Sequence, residues 1–171
     1  MIGIGIAAIA AASLGTGLPL QGQDGIKRLE FLLGEWTSEE VAYPPGRDPV
    51  HFTLQGKNEW TLGETFLRIE ESFEIPGAGK RFNLILMSYD AAQKAYVAWW
   101  FSNSSPRPFA FSGGFEGAKL VFLSVTDPSR PGPSFRITYD PKSATEMDAL
   151  LEVKSGEEFV RRTEAKYKKK G

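Results

Sequence analysis

From Glu35 onward, apolar and polar residues alternate with a period of two, and turn residues interrupt them about every 10 to 13 positions. Strands are expected over Glu35–Tyr43, Val50–Trp60, Thr65–Ile75, Arg81–Tyr89 and Ala95–Ser102. Five more are expected over Phe109–Glu116, Lys119–Thr126, Ser134–Tyr139, Thr145–Lys154 and Glu158–Lys168. The connections are too short for crossovers, so sequential strands must pair antiparallel. An open sheet of about ten strands leaves two long edges and an uncovered apolar face, and closure removes both. The expectation is therefore an all-β protein, an antiparallel up-and-down barrel of about ten strands. A two-sheet sandwich is the alternative, but it needs a long Greek-key crossover that the chain does not offer.

One stretch breaks the strand rhythm. In the segment ending LEFLLGEW, Ile26, Leu29, Leu32 and Leu33 fall on one side of a helix, with Asp24 placed to cap its start and Gly34 to end it. So short a helix needs a larger apolar surface, and one end of the barrel supplies it. Trp36 is expected to pack between helix and barrel floor. The residues before it, MIGIGIAAIAAASL and a small-residue stretch, read as a signal peptide and flexible leader over 1–23, without the usual basic start. A single domain over 24–171 and an exported location, periplasmic or secreted, are expected.

Composition narrows the function. A formal net charge of -1 implies no general attraction to nucleic acid or anionic membrane. Without Cys there is no thiol nucleophile, no disulfide and no lipid-anchor site, so no stable membrane anchor is expected. The single His, His51, lies on the polar face of its strand, and no metal-ligand or nucleophile motif accompanies it. The adjacent pairs Glu39–Glu40, Glu70–Glu71 and Glu157–Glu158 point to opposite faces of their strands and cannot share one proton-transfer site. Catalysis is thus less expected than binding, and no metal and no cofactor are expected.

The inward faces suggest the binding site. Parity places Asn58 and Trp60, Glu71, and Tyr96 and Trp100 inside, with Phe159, Arg161, Thr163, Ala165 and Tyr167 of the last strand. The candidate ligand-binding residues are Asn58, Trp60, Glu71, Tyr96, Trp100, Arg161 and Tyr167. In this arrangement Arg161, with Tyr167, grips the carboxylate of a small hydrophobic or amphipathic molecule, unless a bulge leaves Arg161 at the rim. Two other readings stay open. A filled barrel could act through outward aromatics of the Arg81–Ser102 strands as a partner or homodimer face, and an enzyme could use Glu71 and a Tyr as acid and base.

FLLGEW at Phe31–Trp36, Tyr89-Asp90, YVAWW at Tyr96–Trp100 and the closing Tyr167-Lys168 together resemble a large bacterial family, domain of unknown function 1579. The resemblance runs from about Ile26 to Lys168 and implies a lipocalin-like barrel, often exported. FLLGEW with YPP at Tyr43–Pro45 also looks like the start of the nitrobindins, ten-stranded barrels that bind heme through a His near the C-terminus. The chain has no His beyond His51, which leaves Tyr167 as the remaining candidate ligand type for ferric iron, so the resemblance does not extend to heme.

Overall fold

A computed structural model describes residues 23–126 and 132–171, and the expected signal peptide and leader lie outside the described residues save Gln23. The strands are β1 (Gly34–Ala42), β2 (Val50–Thr61), β3 (Phe66–Ile75), β4 (Gly79–Asp90), β5 (Ala95–Ser102), β6 (Phe109–Glu116), β7 (Lys119–Ser124), β8 (Phe135–Pro141), β9 (Glu146–Ser155) and β10 (Glu158–Lys169). Each pairs antiparallel with its sequence neighbours, and β1 closes on β10 to complete the barrel. The expected architecture is therefore present.

The inner faces are mainly apolar. Leu67, Ile69, Ile85, Met87, Phe111, Leu120 and Phe122 are all buried in one continuous core. In β6, Gly113 lets the backbone of β7 approach closely. A Cβ there would lie 2.0 Å from the Val121 carbonyl oxygen, so no other residue fits without displacing a strand. The pairing of β6 with β7 runs through Gly113 and Gly114 without a register break.

The plug differs in detail from a single helix. Gln23–Lys27 forms α1, and Glu30–Leu32 forms a separate 3-10 turn. Asp24 lies in the first turn of α1, where a carboxylate suits the positive end of the helix, and is not the cap. Gly34, at φ 109°, already opens β1. The reason is the Leu32 carbonyl, which accepts the indole N–H of Trp36 at 2.8 Å and the amide of Asn58 at 2.7 Å. In a continuing helix that carbonyl would accept the backbone N–H of Trp36.

Burial seals this end. Leu29 (0 % exposed), Leu32 and Ile26 pack into the core, each worth about 1.5–3 kcal/mol relative to exposure. Tyr96 donates its hydroxyl to the Gly25 carbonyl at 2.7 Å, and Gly25 lies directly against the ring of Tyr89. Phe31 packs edge-on to Phe115.

The last strand corrects the parity reading. Its register against β9 shifts between Arg161 and Thr163, so the alternation reverses there. Thr163, Ala165 and Tyr167 point inward as expected. Before the shift Val160 faces Val153, while Phe159 turns outward beneath Arg136, whose guanidinium sits 4.5 Å from its ring centroid. Arg136 also makes a two-armed bond to Glu152 on that outer face, at 2.6 and 2.8 Å.

Candidate functional site

The end opposite the plug opens on an interior cavity of about 210 Å³. Phe52 and Phe73 stack near its mouth with ring centroids 5.2 Å apart. Ile85, Trp100, Ile137 and Ala149 supply apolar walls. Deeper in, Glu40, Glu71, Asn83, Tyr139 and Tyr167 give it a polar floor, and neither Lys, Arg nor His lines it. A recess of about 10 Å³ lies toward the plug, sharing Glu71, Tyr139 and Tyr167 with the cavity and adding Asn58. A larger depression of about 790 Å³, bordered by Lys57, Phe82 and Arg107, is open to solvent and surrounds less of any bound molecule.

Neighbouring strands bring the polar floor together. β1 turns Trp36, Ser38 and Glu40 inward in succession, and the closing β1–β10 pairing sets Ser38 opposite Tyr167. The Glu40 carboxylate accepts the Ser38 hydroxyl at 2.9 Å and the Tyr167 hydroxyl at 3.3 Å. On β3 and β4, Glu71 stands opposite Asn83 and accepts its amide at 2.9 Å. The Tyr167 hydroxyl lies against Glu71 as well. Glu71 keeps some accessible surface because it borders the cavity.

Electrostatics follow from that enclosure. Burial first, and the neighbouring Glu71 second, push the Glu40 carboxyl from the ordinary 4.5 up to about 7, against the two hydroxyl bonds that pull it down. Burial also raises Glu71, opposed by its bonds to Asn83 and Tyr167. The hydroxyls of Tyr139 and Tyr167 are raised by burial and by both carboxylates, so both remain protonated donors. Two buried carboxyls without a cation between them are costly, and burial shifts both toward the protonated form.

Two buried side-chain atoms among the described residues lack a hydrogen-bond partner, Asn58 Oδ1 and Trp100 Nε1. Asn58 is only 8 % exposed, and the bond from its amide nitrogen to Leu32 fixes which way its oxygen faces.

Of the residues singled out from sequence, Glu71, Trp100 and Tyr167 line the cavity and Asn58 lines the recess. Trp60 and Tyr96 point inward but serve the packing of the plugged end. Arg161 is outside: its side chain is 53 % exposed, bonds Glu164 at 2.6 Å and rests on the Tyr43 ring. The reversal beside it removes the carboxylate grip. His51 is exposed on the outer face, as expected.

Sequence reasoning missed Glu40, Asn83 and Tyr139. For Glu40 a signal existed, since it shares parity with Trp36 and Ser38 and so belongs to the face that the plug covers. Among the described residues no group of three or more His, Asp or Glu side chains is placed to hold a metal ion.

Comparison with known proteins agrees with this architecture. The crystal structure of Rv2717c from M. tuberculosis superposes with a TM-score of 0.62 at 12 % identity, covering 85 % of this chain and 97 % of that one. At that identity the likeness is one of fold. Among curated proteins none matches. Residues 23–168 match the family described as a protein of unknown function, DUF1579, and the chain belongs to that family.

Proposed function

We propose that this protein is an exported binding protein that takes a small amphipathic molecule into its barrel, apolar part outermost and polar part on the floor. The observation that carries this reading is the interior cavity, with aromatic and aliphatic walls and a convergent polar end. At about 210 Å³ it is smaller than the roughly 300–1,000 Å³ of drug-sized sites, which points to a compact ligand. Export rests on the apolar N-terminal run.

The test follows the Trp100 indole N–H by NMR while hexanol is added. A shift that saturates is expected in the wild type, and it should be lost in Ala149→Leu, which fills the cavity while keeping an apolar residue in β9. An unmoved Trp100 signal, or the same response in both proteins, would overturn the reading. The raised carboxyls beside Tyr167 favour a second reading, proton transfer on a bound molecule. Recovering an added molecule chemically unchanged after long incubation supports carriage instead.

A further inference from the structure

We infer that the floor of the cavity is an ammonium site, and that the class of ligand is a small amphipathic amine whose protonated nitrogen sits between Glu40 and Glu71. The inference rests on the proposed binding function and adds the chemistry of the bound group. An ammonium carries donors and no acceptor, so the site that fits it is rich in acceptors and bears negative charge.

Three observations meet that description. The floor presents two carboxylates, from β1 and β3, and neither Lys, Arg nor His lines the cavity to neutralise them. Three of the neighbouring donors are already engaged, with Ser38 and Tyr167 on Glu40 and the Asn83 amide on Glu71, while the Tyr139 hydroxyl is a further donor on the floor. The bonds already made account for one or two of the acceptor positions on each carboxylate and leave others open. Independently, Asn58 Oδ1 is a buried acceptor without a donor, held facing away from Leu32 by the bond from its own amide nitrogen. It adjoins the recess that Glu71 and Tyr167 also line. A buried acceptor of this kind takes a hydrogen bond from whatever donor reaches the recess, an ammonium N–H or a water.

The surroundings suit the remainder of such a molecule. Ile85, Ile137 and Ala149 cover an alkyl or aryl body, and Trp100 Nε1 is a buried donor left for an oxygen on that body. A carboxylate ligand meets the opposite situation. It brings a third negative charge to a floor that already holds two carboxyls and offers it no cation.

The experiment compares three molecules with one alkyl chain, hexylammonium, hexanol and hexanoate, by calorimetry and by the Trp100 N–H signal at pH 8. Hexylammonium is expected to bind roughly tenfold or more tighter than hexanol, and hexanoate weakest. Glu71→Gln and Glu40→Gln keep the shape of the floor and should each reduce the preference for the amine over the alcohol to within roughly threefold. Arg161→Ala, on the outer surface, should leave it unchanged. Urea unfolding of each variant verifies that it is folded, and a fully folded Glu→Gln variant that retains the preference overturns the ammonium site. Equal binding of amine and alcohol, or tighter binding of hexanoate, overturns the ammonium site while leaving the binding function standing. Failure of all three molecules to bind overturns both.

Discussion

Stability should fall as pH rises through the slightly acidic range, with Glu40 as a principal cause. Its carboxyl holds a proton up to about pH 7 in the folded barrel, against an ordinary value of 4.5 in an unfolded chain. Between those two values the native state binds the proton and the unfolded state has lost it, so each step up in pH favours unfolding. The favourable contribution is complete below pH 4.5 and gone above about 7. That gap, at about 1.4 kcal/mol per pH unit, corresponds to about 3 kcal/mol. For a barrel of this length a urea m-value of about 2 kcal/mol/M converts this to a midpoint lower by about 1.5 M at pH 7.5 than at pH 4.5. Glu40→Gln removes the titration while keeping an acceptor for Ser38 and Tyr167, so its midpoint should vary far less across the range. Glu71, also raised by burial, adds a loss of the same sign that this variant retains. Urea unfolding followed by tryptophan fluorescence at four pH values measures the difference. Parallel pH profiles for wild type and Glu40→Gln would refute the placement of this carboxyl in a low-polarity interior.

Further outcomes follow from the same structure. Hexylammonium should bind more tightly at pH 8 than at pH 5, by roughly one to two orders of magnitude, because below about pH 7 the ligand must displace a proton from Glu40. A dissociation constant that stays flat over this range contradicts the ammonium site. Gly113→Ala should destabilise by about 1–3 kcal/mol, since its methyl group meets the Val121 backbone and not a movable side chain. Thermal unfolding reads this directly, and a neutral result means that β6 and β7 are not so close. Leu29→Ala should cost about 2–5 kcal/mol by opening a void under the plug, with the pairing of β1 to β10 preserved by amide exchange.

The parts of the fold legible in sequence are those set by local rules. Most strand limits came out within one or two residues because Pro44, Gly63, Gly117 and Gly156 punctuate a strict alternation. The plug was legible as an apolar stripe but not as two pieces, since the stripe does not register that the backbone bonds tighten to a three-residue span at Arg28, Leu29, Leu32 and Leu33. Its end is fixed by two side chains, Trp36 and Asn58, on the Leu32 carbonyl. Arg161 was misplaced for a similar reason. The reversal at Arg161–Thr163 carries no Gly or Pro to announce it, and the outward turn of Phe159 is stabilised by Arg136 and Glu152 on β8 and β9. Glu40 is passed over where the pair Glu39–Glu40 is read only as pointing to opposite faces, without the parity of Trp36 that puts Glu40 inside.

The plug and the polar floor are one structure. Leu32 offers a single carbonyl to both the Trp36 indole and the Asn58 amide, and this fixes the direction of the Asn58 oxygen that faces the recess. The Trp36 ring packs edge-on against Tyr167, at 6.5 Å between centroids, and Tyr167 in turn places its hydroxyl on Glu40. A short N-terminal segment that could not hold its shape in water thus orients the groups that set the charge of the interior. A buried polar group is tolerated where its partners are fixed, and the partners of Glu40 are fixed by closure of β1 on β10 while Asn83 is held on Glu71 by the pairing of β3 with β4. The Glu40 side of the acidic floor therefore depends on the closed barrel, because only closure sets Ser38 and Glu40 of the first strand beside Tyr167 of the last.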